Sequence, residues 1–345
     1  MFFKRSASLL LALTSLVVVV LGSLSFLPDL SIPIPFIDSA AHSSLTGLEG
    51  KDSEILVVKL DDTIFAHPQV GLRSADVVYI EQVEGGLTRL AAIFSSKIPA
   101  VVGPVRSARI SDIELLSQYG KVGFAYSGAQ RLMMPVIASA NLYDWGANKF
   151  GAKFYANDPT RVAPYAMMVK APELLAEAKV RGMAPSISSN MGWNFGDASD
   201  RGIEISKVHI SWPASSYGAQ WSEGENRWLL THNGSPDTDD TGYVLGPKTL
   251  LIQLVSIADS IYHDKVGGVT PFSVTVGEGK CYLLRNGAYT PCLWRRSSAE
   301  SGTSFTDLAG NELFFEKGQI WFALTSKEPL FTQAITQDAT SSASK

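Results

Sequence analysis

The hydrophobic pattern of this chain changes period several times, and each change marks an element. Leu9 to Leu27 is an unbroken apolar run preceded by Lys4 and Arg5. It is long enough to cross the roughly 30 Å hydrocarbon core of a bilayer. Pro28 to Ser53 is rich in Pro, Ser and Ala and reads as a linker. Glu54 to Leu60 is an apolar strand, and Asp76 to Val83 and Leu87 to Phe94 alternate as the arms of a hairpin turning on Gly85-Gly86. Val101-Val102 begins another strand before the Gly103-Pro104 break. A helix follows, with Ser111 and Glu114 at capping-box spacing, Ile113, Leu115, Leu116 and Tyr119 as its apolar face and Gly120 at its end. Val122 to Tyr126 reads as a strand and Leu132 to Ala140 as a helix; Pro172 and Gly182 bracket a third helix, Ala171 to Arg181.

Beyond Pro185 to Arg201, a polar interdomain link, period two takes over. Gly202 to Trp212, Gln220 to Ser222, Arg227 to Thr231, Lys248 to Ile257, Phe272 to Val276, Cys281 to Leu284, Ala288 to Trp294, Phe314 and Ile320 to Leu324 read as strands. The predicted organisation is a membrane segment (1–27), a linker (28–53), a mixed α/β domain (54–184), the link (185–201), a mostly-β domain (202–325) and a disordered tail (326–345). The fold class is therefore α+β, with an N-terminal transmembrane helix.

Charge order across the first segment sets the topology. Positive residues before the run and none just beyond it favour a cytoplasmic N-terminus with the bulk exported. Two outcomes stay open: a retained signal-anchor, which the length favours, and a signal peptide cleaved near Ser39-Ala40-Ala41. No cysteine stands near the end of the run, which excludes a lipid-modified cysteine there. The net charge of -4 over 345 residues gives no basic footprint for nucleic acid.

Cys281 and Cys292 agree with export. They flank Asn286-Gly287, the strongest short hairpin signal. With a two-residue turn there, Arg285 faces Ala288, Leu284 faces Tyr289 and Cys281 falls opposite Cys292, within disulfide reach. Two unpaired buried thiols are the alternative; a metal site is disfavoured because two cysteines are too few ligands.

The stretch most suggestive of function runs from Gly71 to Arg109, GLRSADVVYIEQVEGGLTRLAAIFSSKIPAVVGPVRSAR. Turning at Gly85-Gly86 puts Gln82 opposite Arg89 and Glu81 opposite Leu90, leaving Glu81 a lone acid on an apolar face. A charge there needs a partner, and Arg106 and Arg109 from the following corner offer forked ones. Glu84 and Arg89 lie diagonally on the other face, as a surface pair. Glu81, Glu84, Arg89, Arg106 and Arg109 thus form either a polar pocket for an anionic or sugar ligand, before a helix N-terminus, or an ion-pair network locking hairpin to helix. The stretch resembles the signature of the YerB-like family, a domain of unknown function (3048) of bacterial envelope proteins. All five residues match its motif, while Ile80 departs where relatives often carry an acid. The resemblance continues more loosely to about Glu328 and implies N- and C-terminal parts and an envelope location, but no activity. Many members look like lipoproteins, and this chain departs from them in lacking the N-terminal cysteine.

Asp61-Asp62 follows the first strand, either at a cleft mouth or as a polar strand-end turn, and His67-Pro68 resembles the family's His-Pro pair, so that His67 is either a general base or a loop histidine. The histidines (His42, His67, His209, His232, His263) show no metal-ligand spacing. Asp237 to Gly242 looks like a calcium loop, but Lys248 occupies the place of its bidentate Glu. Trp193, Trp212, Trp221 and Trp228 suit either sugar stacking or a core. No phosphate loop, zinc-protease motif, nucleophile elbow or redox pair is present, so no metal and no standard cofactor is implied. Two functions remain. One is an extracytoplasmic, membrane-tethered binding or scaffold protein, its partner a cell-wall glycan or another envelope protein. The other is a hydrolase or transferase acting on a cell-wall-type glycan, with Glu81 or Glu84 as acid/base.

Overall fold

The computed structural model describes residues 41–197 and 202–334. Among them no helix is long and apolar enough to cross a membrane. The apolar run at 9–27, read as a transmembrane helix, lies outside the described residues, as does most of the tail.

The first half alternates strands with short helices. Its strands are Leu56–Asp61 (β1), Val77–Gln82 (β2), Thr88–Phe94 (β3), Val122–Ala125 (β4), Leu142–Asp144 (β5), Tyr155–Asn157 (β6), Met167–Val169 (β7) and Asn194–Phe195 (β8). Its helices are Ile110–Ser117 (α1), Met134–Ser139 (α2), Ala147–Phe150 (α3) and Ala171–Val180 (α4). The second half is all strand: Ile203–Ser211 (β9), Ser216–Ser222 (β10), Arg227–His232 (β11), Ser235–Pro236 (β12), Thr249–Leu254 (β13), Ile257–His263 (β14) and Val269–Ser273 (β15). Gly277–Arg285 (β16), Ala288–Arg296 (β17), Ser304–Asp307 (β18), Phe314–Phe315 (β19), Ile320–Thr325 (β20) and Leu330–Gln333 (β21) follow. Mixed and mostly β, with few helices, the molecule is of the α+β class.

One sheet joins the halves. Its order is β12-β11-β10-β9-β17-β16-β13-β20-β2-β3-β1-β4-β5. The strand that sews them together is β20, which runs parallel to β13 on one side and to β2 on the other. All six of its residues, Ile-Trp-Phe-Ala-Leu-Thr, are buried. Such an apolar run suits a strand covered on both faces. Alternate residues feed two cores: Val78, Ile80, Leu90, Ala92, Trp321 and Ala323 point into one, and Val77, Tyr79, Ala91, Ile93, Ile320 and Phe322 into the other. Helix α1 covers the second face with Leu115 and Leu116. From Ala41 onward the chain is one compact unit.

The hairpins differ instructively. At Asn286-Gly287 the register is Arg285↔Ala288, Leu284↔Tyr289 and Cys281↔Cys292, and the two cysteines form a disulfide with Cα atoms 4.7 Å apart. At Gly85-Gly86 the expected register is off by one residue. Glu81 faces Arg89 and Gln82 faces Thr88, because Glu84–Gly86 makes a 3-10 turn between the strands. The Val83 N–H donates to the Leu87 carbonyl at 2.8 Å and closes that longer loop. Glu81 therefore shares a face with Tyr79, Ala91 and Arg89, not with Leu90 and Phe94.

Helix α1 also begins earlier than its capping-box reading. Asp112, not Glu114, reaches back to accept the N–H of the N-cap residue, Arg109, at 2.5 Å. Ser111 and Glu114 instead catch the chain at the end of β15: Ser111 Oγ accepts from the Ser273 N–H at 2.9 Å and Glu114 from the Thr275 N–H at 2.8 Å. Strand β15 lies earlier than the Phe272 to Val276 assignment, and β14, β18 and β21 had no counterpart in the periodicity.

Candidate functional site

The corner after β3 hangs on β1. Val105 bridges to Leu60, and the Arg106 N–H donates to the Lys59 carbonyl at 2.7 Å. This holds Arg106 and Arg109 beside the β2–β3 turn and beneath the tip of the β14–β15 hairpin. Between them opens a cleft of about 330 Å³, lined by Glu84, Arg89, Arg106 and Arg109 on one side and His263, Asp264, Lys265 and Thr270 on the other. Four of the five residues singled out in the sequence thus meet in one cavity.

Their pairing differs from the expectation. Arg109 binds Glu84, with Nε 2.7 Å from Oε1, and Thr270 donates to the same carboxylate. Burial works against the Glu84 charge, yet Arg109 and Thr270 hold its carboxyl below the ordinary range. Arg106 pairs with Asp61, Nε to Oδ2 at 2.6 Å. Arg89 donates to the Ser107 carbonyl at 2.9 Å and has no carboxylate within ion-pairing distance among the described residues. Burial, with Arg109 and Arg106 nearby, presses the Arg89 guanidinium down to about 9. Arginine keeps its proton at neutral pH, so its charge stands there against repulsion. The expected Glu84–Arg89 surface pair does not form, because the shifted register turns Arg89 to the face of Glu81.

Glu81 stands behind the cleft rather than in it. It is fully buried, and its partner is Lys59, whose Nζ lies 2.7 Å from Glu81 Oε1 and 2.7 Å from Asp112 Oδ1. Lys59 reaches across β3 because Ala91, the residue between them on that face, is only a methyl. Neither Arg106 nor Arg109 touches Glu81. The signal for Lys59 was visible, as a lone charge within the apolar run Ile-Leu-Val-Val-Lys-Leu, but pairing across an intervening strand is not.

A second polar cluster gathers residues that the sequence left apart. His67 Nδ1 lies 3.0 Å from Asp237 Oδ1 and its Nε2 3.3 Å from Asp62 Oδ1. The His67 and His232 rings stack, with centroids 4.4 Å apart. Tyr217 OH donates to Asp62 Oδ1 at 2.6 Å and Thr88 Oγ1 to Asp62 Oδ2 at 2.5 Å. Burial opposes a charge on His67, but Asp237 and Asp62 outweigh it and raise the ring to about 10. His67 also lines an open groove of about 740 Å³ with Phe65, Arg161 and Tyr165. The Asp237 to Gly242 segment is a local turn: Asp239 accepts the N–H groups of Thr241 and Tyr243 at 2.9 and 3.0 Å. Trp193, Trp212 and Trp228 are core residues and Trp221 is half-buried, so no exposed tryptophan platform forms among them.

Two sequence segments that share one sheet define the class of molecule. The chain belongs to the family of proteins of unknown function DUF3048. Its N-terminal domain model matches residues 45–184 and its C-terminal domain model residues 208–322. The putative lipoprotein YerB of Bacillus subtilis (strain 168) is 34% identical over 129 residues, 36% of this chain and 39% of the relative. The match thus spans well under half of that relative's length. The crystal structure of YerB protein from Bacillus subtilis has a TM-score of 0.71 at 19% identity, covering 85% of this chain and 100% of that one. At that identity the likeness is one of fold.

Proposed function

We propose that this chain is an extracytoplasmic, envelope-associated protein that binds an anionic ligand in the arginine cleft. One observation carries the reading: Arg89, Arg106 and Arg109 converge on one cavity, and Arg89 has only a carbonyl for a partner among the described residues. An anion reaching Arg89 would supply the counter-charge, and guanidinium forks suit phosphate and carboxylate groups. The tether in this reading is the apolar segment at 9–27, and the lipoprotein name of the Bacillus relative supports a place at the membrane surface. The phosphate or carboxylate groups of a cell-wall glycan fit such a site.

Glycan cleavage has less support than binding. A glycosidase needs two carboxyls about 5–10 Å apart across one open groove. Here Glu81 is buried behind Lys59 and Glu84 is engaged by Arg109 and Thr270.

The test is calorimetry with inorganic phosphate and with soluble muramyl-peptide fragments, on wild type and Arg89→Met. Saturable binding by wild type, weakened tenfold or more in Arg89→Met, is expected. No binding by wild type, or equal binding by the variant, would overturn the reading.

A further inference from the structure

The Asp62–His67–His232 cluster is separate from the arginine cleft, and its geometry carries a second site. Asp62 follows β1, His67 stands in the loop beyond it, and His232 ends β11, so both family segments contribute. We propose that Asp62, His67 and His232 bind a divalent cation of the Zn2+ class, with Asp237 as the carboxylate behind His67.

His67 Nε2 lies 3.3 Å from Asp62 Oδ1, His232 Nε2 lies 3.8 Å from Asp62 Oδ2, and one donor atom from each residue falls within 4.8 Å of the others. A tetrahedral ion bonded at about 2.0–2.2 Å separates its ligand atoms by roughly 3.3–3.6 Å. The cluster therefore needs only a small contraction to enclose one.

The surroundings are those of a ligand set already oriented. Asp237 sits on Nδ1 of His67 at 3.0 Å, which aims Nε2 at Asp62, where a bound cation would take the place of the Nε2 proton. Carboxylate–histidine pairs of this kind fix the tautomer of metal-bound imidazoles. Tyr217 and Thr88 hold Asp62 by hydrogen bonds of 2.6 and 2.5 Å. Asp62 and Asp237 are both buried, and among the described residues the Asp237 oxygens have no hydrogen-bond partner beyond His67. Buried carboxylates persist when paired or metal-bound, and a divalent ion balances two of them.

One adjustment is required. The imidazole rings lie 9° from parallel, so a shared ion can sit in both ring planes only if one ring turns. His232 is the ring free to do so. Among the described residues its Nε2 makes only long contacts, at 3.4 Å to Ser215 Oγ, 3.3 Å to Asn233 Nδ2 and 3.8 Å to Asp62. Rotation about χ2 of histidine is broad and inexpensive.

Two imidazoles and one carboxylate select Zn2+-like ions over Mg2+ or Ca2+. Three protein ligands leave a fourth position, the arrangement of catalytic rather than structural zinc. His67 also borders the groove of Phe65 and Tyr165, through which a small molecule would reach that position.

The experiment uses the full chain, stripped by a chelator and titrated with ZnCl2 by calorimetry, with Co2+ absorption as a second readout. One equivalent is expected to bind, with a tetrahedral Co2+ spectrum. Affinity should fall at least 100-fold in His67→Gln and His232→Gln, and about 10–100-fold in Asp237→Asn. If a histidine variant does not fold, zinc-edge X-ray absorption on wild type decides, and two imidazole ligands are expected there. Absence of saturable binding by wild type, an edge spectrum without imidazole, or undiminished affinity in a folded His67→Gln/His232→Gln double variant would each overturn the proposal. None of these outcomes bears on phosphate binding at Arg89.

Discussion

Lys59 brings one positive charge to a place where Glu81 and Asp112 each lie 2.7 Å from its Nζ. Three buried ionised groups would leave a net negative charge, so one proton stays on the carboxylate pair. Burial pushes Glu81 up to about 8, with Asp112 adding to the shift and Lys59 opposing it. Two consequences follow from the sign. The folded chain binds this proton more tightly than the unfolded one, whose glutamate has an ordinary value near 4.3. The stabilisation is thus fully present below about pH 4.3 and is lost as pH rises through about 8. Glu81→Gln mimics the protonated form and should change stability by under about 1 kcal/mol at neutral pH. It should also flatten the decline in urea midpoint between pH 5 and 9. Lys59→Met leaves two carboxylates without their cation and should cost about 3–5 kcal/mol. A Glu81→Gln variant as unstable as Lys59→Met would contradict this assignment. In the sequence Glu81 was legible as an acid in need of a partner. The partner was not, because it comes from two strands away.

The β2–β3 turn shows what an element adds to its residues. Gly85 and Gly86 both have positive φ, at 68° and 73°. A Cβ at Gly85 meets open space, whereas one at Gly86 falls 2.4 Å from Pro213 Cβ and 3.0 Å from the Ala214 nitrogen. The turn is therefore docked on the loop between β9 and β10, and the Ala214 N–H donates to the Gly86 carbonyl at 2.9 Å. Gly85→Ala should cost only the left-handed penalty, about 1–2 kcal/mol. Gly86→Ala adds a clash with backbone and should cost roughly 1–3 kcal/mol more. Guanidinium denaturation of both variants measures the difference, and equal losses would show that the turn is not docked. The Gly-Gly pair announced a hairpin, but a two-residue turn and a 3-10 turn of three residues read alike. The choice rests with the Pro213 loop, far away in sequence. The other hairpin could be read to the residue because Asn-Gly strongly favours one turn type, which placed Cys281 opposite Cys292.

At the scale of the molecule, the decisive element is β20. It lies late in the chain yet stands between β2 and β13. Residues of the first family segment therefore complete their sheet only when the second is present. Heat or denaturant should unfold the chain in one cooperative transition, with far-ultraviolet circular dichroism and tryptophan fluorescence coinciding. Separate midpoints for the two signals would show that the segments fold independently. Both proposed sites sit on this join. The arginine cleft takes its far wall from the β14–β15 hairpin, and the Asp62 cluster takes His232 and Asp237 from the second segment.

Local sequence determined what local physics controls. Alternation and turn residues set most strands, and Pro172 and Gly182 bounded α4. Asn286-Gly287 set a register tight enough to predict the disulfide, and Gly71 to Arg109 marked the family and four of the cleft residues. Tertiary structure decided every pairing that crosses the chain: Lys59 with Glu81, Arg109 with Glu84, Arg106 with Asp61, and His67 with Asp237. The physical reason is that charges choose partners by distance in space. Here a single sheet, sewn together by β20, brings together charged partners that the sequence separates by up to 170 positions, as His67 and Asp237 are.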